Sequence, residues 1–341
     1  KSHGLQAPRS SAGRRSAGEW SNGRLAPGVD PVRFFRALPL FRFSPAAGRA
    51  LEGLEERLSG HPLRACGPLE LFTRGFVSPL GPDAEALTRT LDKFSLFSLG
   101  QEDKLLPAAV VAAETSRRAR ARAASEGGPV SARQRRGIKQ SVVEELLPKA
   151  FSRPSRTDAY VDRKNGWLVI DTASRKKAET LLGSLREALS SFPALPLTAG
   201  ETPRALLTHW LDSGELPAGL ELGDECELRD PGASGGAVVR CRHQDLTGDE
   251  IREHLRSGKQ VFQLGLHFDD RLSMVLGEDL VIRKLKFHDV VIEELSYESG
   301  DDASAEIDAR FALMSLELEK LLEHLAQWFA IARPDSATGT P

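Results

Sequence analysis

The sequence predicts an α+β fold, and three observations lead to that class. Several short segments rich in β-branched and aromatic residues are separated by turn residues, which is typical of strands. Segments with helical periodicity lie between some of them but do not follow each one, as they would in a parallel α/β sheet. A long apolar stripe at helical spacing lies near the C-terminus. The 341 residues are enough for two or three structural units.

The first 31 residues differ in composition from the rest. They are rich in Arg, Ser, Gly and Pro and contain no apolar segment of the kind found in secretory signals. We expect them to form a disordered extension outside the fold, or to lie upstream of the true start site. For the remainder we predict a central α+β domain from residues 32–105 and 146–197, a helical-hairpin tip at residues 106–145, and an α+β base domain at residues 198–335.

The first part of the fold is predicted to contain strands, a short helix and a helical hairpin. The strands are predicted at residues 32–43, 72–77 and 93–99, and the short helix at residues 46–58. Two further helices, at residues 105–124 and 131–147, are separated by a Gly-Gly-Pro sequence that starts at Gly127. Because these helices are rich in Ala and Arg and have little apolar surface, we expect them to project from the body as a hairpin.

A β-hairpin and an amphipathic helix follow. Residues 160–171 place strand-forming residues on both sides of Asn165–Gly166, the pair that favours a two-residue type I′ turn. Ser174 is predicted to cap a helix that runs to Leu189. The first turn of this helix carries three cations, Arg175, Lys176 and Lys177. Cations at this end of a helix oppose its dipole, so these three either serve a function or are tolerated because the end is exposed.

The last part is predicted to be rich in strands and to end in a long helix. Strands are predicted at residues 219–228, 237–241, 260–268, 272–276 and 280–287, and helices at residues 202–213, 246–257 and 305–332. The second of these helices is predicted to have Thr247 as its N-cap, with Glu250 completing a capping box. The stripe of the long helix predicts core packing or self-association, and its acidic polar face argues against membrane binding. The stripe consists of Phe311, Met314, Leu318, Leu321, Leu322, Leu325 and Phe329.

Positive charge is concentrated in residues 117–139. The segment has a net charge of +7, whereas the whole chain sums to −2. Such an oriented field is typical of proteins that bind a polyanion, and a solvated loop without a partner is the alternative. The segment contains one acid, Glu126, and eight cations, which are Arg117, Arg118, Arg120, Arg122, Arg133, Arg135, Arg136 and Lys139.

Motifs for catalysis or cofactor binding are absent from the sequence. It contains no dinucleotide-binding glycine motif, no P-loop, no HExxH and no GxSxG. We therefore expect no enzyme activity, no cofactor and no metal. Cys66, Cys226 and Cys241 are predicted to be buried thiols, although Cys241 and His243 are predicted to share one strand face. No apolar run approaches the ~20 residues needed to span a bilayer.

A metal-dependent nuclease is the main enzymatic alternative. It would be built around Asp269 and Asp279, with Asp270, Glu278, Asp289, Glu293 and Glu294 as further carboxylates and with Lys284 and Lys286 as cations. Adjacent carboxylates on a strand point to opposite faces, so they can share one ion only where a bulge intervenes. A scaffold whose hairpin binds an acidic protein is a third hypothesis.

Several short segments together resemble the RdgC family of bacterial recombination-associated proteins. Each is weak alone, but they occur in order and with similar spacing between about residues 32 and 332. They are residues 75–81 (GFVSPLG), 105–107 (LLP), 147–153 (LPKAFSR), 173–179 (ASRKKAE), 244–247 (QDLT) and 283–287 (RKLKF).

The resemblance implies a crescent-shaped subunit that forms a ring-shaped homodimer around duplex DNA. The hole would be lined with positive charge, and binding would not depend on base sequence. The bound protein would limit access of the recombinase RecA to DNA. The resemblance also implies a protein without catalytic activity, in the cytoplasm and on the nucleoid.

The resemblance implies that three residues lie at or beside contacts between the two subunits of the dimer. Phe151 and Gln244 occupy contact positions, and a buried core position is the alternative for Phe151. His243 stands where a relative has lysine. Histidine titrates near neutral pH, so pH-dependent closure of the ring is a hypothesis.

A clamp that ignores base sequence needs contacts to phosphates rather than to bases. Aromatic residues make up only 6% of the chain and do not alternate with basic residues, which favours duplex over single-stranded DNA. In addition to the eight cations of residues 117–139, we predict that phosphates are contacted by Arg153, Arg156, Arg175, Lys176 and Lys177.

Overall fold

Two antiparallel sheets, together with helices, form the computed structural model, which describes residues 33–232, 236–298 and 303–334. The α+β class predicted from the sequence is confirmed. The extension predicted for the first 31 residues lies outside the described residues. No helix in the described part of the chain is long and apolar enough to cross a membrane.

The seven-stranded sheet has the order β2-β4-β5-β6-β1-β7, with β3 pairing along β4 beyond β2. β4 and β5 pair over their whole length, from Phe94–Asp162 at one end to Lys104–Ser152 at the other. The strands are β1 (Leu40–Arg42), β2 (Phe72–Val77), β3 (Thr88–Leu91), β4 (Phe94–Lys104), β5 (Ser152–Asp162), β6 (Trp167–Ile170) and β7 (Leu195–Pro196).

The five-stranded sheet has the order β12-β11-β10-β8-β9. Its outer strand β12 is joined to the segment just before β1 of the seven-stranded sheet. There Leu38 exchanges backbone hydrogen bonds with Ile282 at 2.8 and 3.2 Å. The strands are β8 (Leu220–Arg229), β9 (Val238–Arg242), β10 (Gln260–Phe268), β11 (Leu272–Gly277) and β12 (Ile282–Phe287).

The described residues also contain helices that cover the sheets or project from them. They are α1 (Pro45–Arg49), α2 (Leu54–Ser59), α3 (Ala108–Glu126), α4 (Ala132–Leu146), α5 (Arg175–Ala188), α6 (Pro203–Ser213), α7 (Asp249–Arg256), α8 (Asp289–Glu298) and α9 (Ala303–Trp328). One face of the seven-stranded sheet packs against α1, α2 and α5 in a core that includes Phe43, Phe97 and Leu182.

The opposite face of this sheet shares a second core with the five-stranded sheet and α9. Tyr160 of β5 contacts Phe94 and Phe311 edge to face, with ring centroids 5.9 and 6.0 Å apart. All seven residues of the predicted apolar stripe are buried in or beside this core, so core packing is confirmed for that stripe. α9 therefore holds the two sheets together.

Several predicted elements are confirmed with small shifts of boundary, and others are wrong. The single helix at residues 46–58 is two helices, because Gly53 turns the chain with a φ of 65° before α2 begins. The strand predicted at residues 32–43 is reduced to β1 and the Leu38 bridge. β3, β7 and α8 were not predicted.

Two predictions about turns and caps are corrected. The hairpin of β5 and β6 forms, but Asp162 pairs with Trp167, so the loop has four residues and not the two of a type I′ turn. Of Asn165 and Gly166, only Gly166 has a positive φ. α7 has Gly248 as its N-cap without a side-chain bond, so the predicted capping box of Thr247 and Glu250 is absent. Thr247 instead donates to Asp245, and Glu250 accepts from Gln244.

We expect Phe311→Ala to lower the free energy of unfolding by about 3–5 kcal/mol, because it removes a ring buried between the sheets. Leu316→Ala, on the exposed side of the same helix, is the matched control and should change stability by about 0.5 kcal/mol or less. Denaturant unfolding measures both. Similar losses for the two variants would contradict the role assigned to α9.

Candidate nucleic-acid interface

Two helices joined by a capped turn carry the basic segment of residues 117–139. α3 ends at Gly127, whose φ of 70° lies in the left-handed region typical of helix ends. α4 starts after Ser131, whose Oγ accepts a hydrogen bond from the Gln134 backbone N–H at 3.3 Å. Gln134 Oε1 accepts in return from the Ser131 backbone N–H at 2.8 Å. This capping box is visible in the sequence as S-x-x-Q and was not predicted.

The hairpin has few buried residues, and an ion-paired arginine joins its helices. The buried residues of α3 are Val111, Thr115 and Ala119, and that of α4 is Val142. Arg118 of α3 reaches Glu145 of α4 with an Nη2–Oε2 distance of 2.7 Å. Electrostatic contacts thus supplement a small apolar interface.

Three of the eight cations are held in ion pairs within the hairpin. Glu114 accepts hydrogen bonds from Arg117 and Arg118, and these bonds lower the pKa of its carboxyl to about 2. The positive charge of these three arginines is therefore matched locally. The pairs are Arg117–Glu114, Arg118–Glu114, Arg118–Glu145 and Arg122–Glu126.

The other five cations are exposed, and no ion pair joins them to a carboxylate among the residues that the structure describes. Two of them donate to Ser116: Arg120 to its backbone oxygen at 3.4 Å and Arg135 to its Oγ at 3.2 Å. A neutral acceptor orients a guanidinium without cancelling its charge. These five, which we call the open cations, are Arg120, Arg133, Arg135, Arg136 and Lys139.

A groove of about 510 Å³ runs between the two helices. Three arginines line it, Arg118 and Arg122 from α3 and Arg133 from α4, and no carboxylate does. The remaining lining is small or neutral and includes Gly137 and Ser141, which sequence patterns did not single out. Arg118 and Arg122 are ion-paired as described above, so Arg133 is the groove arginine without an ion pair to a described carboxylate.

The cations predicted outside the hairpin differ in accessibility. Arg153 is exposed at the start of β5, next to the base of the hairpin. Arg156 requires a correction, because its side chain is only 5% exposed and its Nε lies 2.8 Å from Asp158 Oδ1. Its charge is buried and neutralised, so we exclude it from the candidate interface.

The cations of α5 lie on a separate element. Lys176 and Lys177 are exposed and make no ion pair with a described carboxylate, whereas Arg175 pairs with Glu179 at 3.1 Å. The segment that leads into α5 lies beside Asp158, whose backbone carbonyl accepts a hydrogen bond from the Asp171 N–H at 2.8 Å. Asp158 lies six residues along β5 from Ser152, so the start of α5 is roughly 20 Å from the base of the hairpin.

Phe151 lies in an exposed apolar row at the hairpin end of the seven-stranded sheet. The residue is 83% exposed, so the alternative of a buried core position is wrong. The Leu105 N–H donates to the Phe151 carbonyl at 2.7 Å, and the Lys104 N–H donates to the Leu71 carbonyl at 2.8 Å. These bonds bring three strand ends together. Four apolar residues at these strand ends are exposed, and we call them together the apolar row: Leu71, Phe72, Leu105 and Phe151.

His243 and Gln244 lie at the end of β9, far along the chain from Phe151. His243 follows the strand with a φ of 55°, so the prediction that it shares a strand face with Cys241 is wrong. Its exposed ring places Nδ1 2.9 Å from Asp224 Oδ2. Gln244 is partly exposed and donates to Glu250.

The carboxylates of the nuclease alternative are dispersed, and three of the seven are paired with arginines. Asp269 and Asp270 occupy the loop between β10 and β11 rather than a strand. Ion pairs join Glu278 to Arg204, Asp279 to Arg283, and Glu294 to Arg271. Within the described ranges, no group of three or more His, Cys, Asp or Glu residues is arranged to hold a metal ion.

Comparison with known proteins extends over most of the chain. Residues 33–332 match the family model described as "Putative exonuclease, RdgC". The recombination-associated protein RdgC of Xanthomonas campestris pv. campestris (strain B100) is 48% identical over 289 residues, which are 84% of this chain and 95% of the relative. The protein of the same name from Xylella fastidiosa (strain 9a5c) is 46% identical over the same shares of both chains.

We expect Glu114 to remain ionised down to about pH 2 in the wild-type protein. The folded pKa lies below the ordinary 4.5, so the carboxylate stabilises the hairpin above pH 4.5, and this contribution is lost as the pH falls towards 2. Arg117→Gln should raise the Glu114 pKa towards its ordinary value. Arg136→Gln is the control and should leave the Glu114 pKa unchanged, because Arg136 makes no ion pair with a described carboxylate. Carboxyl NMR titration measures this, and identical titrations for wild type and Arg117→Gln would contradict the ion-pair assignment.

Proposed function

Because the chain belongs to the RdgC family of recombination-associated proteins, we propose that it binds duplex DNA through its helical hairpin, without regard to base sequence. The observation that carries the proposal is the set of open cations beside the arginine-lined groove. Phosphate groups are the polyanion ligands best matched to arginine, because a guanidinium can donate two parallel hydrogen bonds to one phosphate.

The composition of the hairpin favours backbone contacts over base stacking. Residues 106–150 contain no Phe, Tyr or Trp. Proteins that bind single strands without sequence preference generally stack bases on aromatic side chains, and this surface has none to offer. A duplex exposes phosphates on its outside and needs no stacking partner.

We also propose that two subunits close into a ring around the duplex. In this proposal residues 106–145 form a tip that faces DNA, residues 32–105 and 146–197 form the central domain, and residues 198–335 form the base of each crescent. The apolar row around Phe151 supports one closing contact, since exposed apolar surface of this kind is typical of interfaces. We propose the other closing contact at Gln244, after β9, because the family resemblance places a dimer contact there.

A ring on DNA accounts for a role in recombination without catalysis. A protein that encircles the duplex occupies the surface on which a recombinase such as RecA must assemble, and so limits its access. The net charge of −9 outside residues 117–139 would disfavour DNA binding elsewhere on the subunit. We propose the cytoplasm and the nucleoid as the location.

We expect the triple variant Arg133→Ala, Arg135→Ala, Arg136→Ala to weaken duplex binding equally on unrelated sequences and to flatten the salt dependence. Wild-type protein that contacts six to ten phosphates should lose about 10³–10⁵ in affinity between 50 and 200 mM salt. A charge-matched control replaces Arg57, Arg252 and Arg256, which are exposed and lie outside the hairpin. Fluorescence anisotropy across a salt series measures both variants. An unchanged slope in the hairpin variant, or competition by acidic protein but not by duplex DNA, would contradict the proposal.

The ring itself is tested on covalently closed circular and linear DNA of equal length. With magnesium present, we expect both DNAs to stay intact and the circle to retain more protein after a high-salt challenge. Phe151→Asp should abolish this difference and weaken dimerisation in sedimentation, because it places a charge in the apolar row. Leu316→Asp, an exposed apolar site on α9, is the matched control. Equal retention on both DNAs would refute the ring, and nicked or shortened DNA would favour the nuclease.

A further inference from the structure

A cationic cavity lies at the end of the seven-stranded sheet opposite the hairpin. The loop between β3 and β4, the loop between β5 and β6, α1 and the segment after α9 meet there around a volume of about 370 Å³. The hairpin leaves from the other end of β4 and β5. Each of these strands is eleven residues long, so the hairpin begins roughly 30 Å from the cavity. The cavity is therefore separate from the candidate interface.

Five cations and one carboxylate line this cavity. Lys93 forms an ion pair with Glu319 of α9, so its charge is matched. The structure shows no ion pair between the remaining four cations and any described carboxylate. The cations are Arg49, Lys93, Arg163, Lys164 and Arg333, and the carboxylate is Glu52.

Two of the guanidinium groups are held in place by backbone carbonyl oxygens. Arg163 Nη2 donates to Asp92 O at 2.9 Å. Arg333 donates from Nε to Phe43 O at 3.2 Å and from Nη1 to Lys164 O at 2.8 Å. The Nε of Arg163 is buried without an acceptor in the described part of the chain. Neutral carbonyls fix the direction of these side chains and leave their positive charge available.

The turn between β5 and β6 is shaped to admit Arg333. Gly166 has a φ of 75°, and a Cβ at this position would lie 2.6 Å from the Nε of Arg333. Any larger residue would displace the guanidinium. Beside it, burial and the charge of Arg333 lower the pKa of Arg42 to about 10, while Asp162 partly offsets them. Like charges are thus held close together around the cavity.

We propose that this cavity is a binding site for a phosphate group. A tetrahedral oxyanion would accept hydrogen bonds from several directions and would relieve the repulsion among the cations. No aromatic ring is among the lining residues, so the site recognises the phosphate rather than a base attached to it. The phosphate comes either from a free phosphate compound or from the backbone of a nucleic acid.

The first test is calorimetric titration of the full chain with inorganic phosphate at constant ionic strength. We expect one saturable site on the wild-type protein. The double variant Arg49→Gln, Lys164→Gln should bind about tenfold more weakly or worse, because it removes two charged donors. Both residues are exposed, so the fold should persist. The control Arg57→Gln, Arg252→Gln removes the same charge elsewhere and should bind like the wild type.

Melting curves supply a second measurement that depends on the same site. Phosphate should raise the melting temperature of the wild type and the control by mass action, and should raise that of the double variant less. The absence of saturable binding by the wild type overturns the proposal. Equal affinity in the wild type and the double variant overturns it as well, because the phosphate would then bind elsewhere.

Duplex binding by the double variant distinguishes the two sources of phosphate. Lower affinity and a shallower salt slope identify the DNA backbone as the ligand, and unchanged binding identifies a free phosphate compound. The hairpin variant with Arg133, Arg135 and Arg136 replaced should keep its affinity for inorganic phosphate. Failure of the hairpin proposal and failure of the cavity proposal therefore give different results.

Discussion

The burial of one face of α9 between two sheets is the constraint on which the rest of the structure depends. The second face of the seven-stranded sheet and the inner face of the five-stranded sheet bury their apolar residues in one shared core, and α9 contributes to it along its whole length. Arg89 of β3 and Lys93 of the β3–β4 loop pair with Asp308 and Glu319 of α9. Arg271 of the β10–β11 loop pairs with Glu317 of α9. These contacts fix the hairpin, the apolar row and the end of β9 in one frame.

Charge within this frame is divided between structural and accessible groups. In the hairpin, arginines that face the partner helix are paired with Glu114 and Glu145, where they compensate for a small apolar interface. The open cations have neutral acceptors or solvent as neighbours. The same division recurs at the distant cavity, where Lys93 is paired and Arg163 and Arg333 are anchored by carbonyls. Arginine and lysine side chains thus stabilise the fold where carboxylates accept their hydrogen bonds, and keep their charge for a ligand where the acceptors are neutral.

Sequence patterns predicted the elements that show a regular periodicity or a capping residue within one continuous segment. The strand at Phe72–Val77, the helix capped by Ser174 and the stripe of α9 all follow from periodicity and capping within one segment. The errors involve partners that sequence spacing does not show. Arg156 looked like a free cation, but the pleat of β5 sets it beside Asp158, two residues on and on the same face. For Phe151 the sequence left a surface contact and a buried core position open, and only the structure shows that the residue is exposed.

The hairpin is an insertion between two strands that are already paired. Lys104, the last residue of β4, and Ser152, the first residue of β5, are partners across these strands, so the sheet closes at the base of the hairpin without help from the hairpin itself. The register of the scaffold is consequently independent of the length of α3 and α4. Whole helical turns can be added to or removed from both helices without moving any strand, and evolution can adjust the reach of the basic surface while leaving the body unchanged.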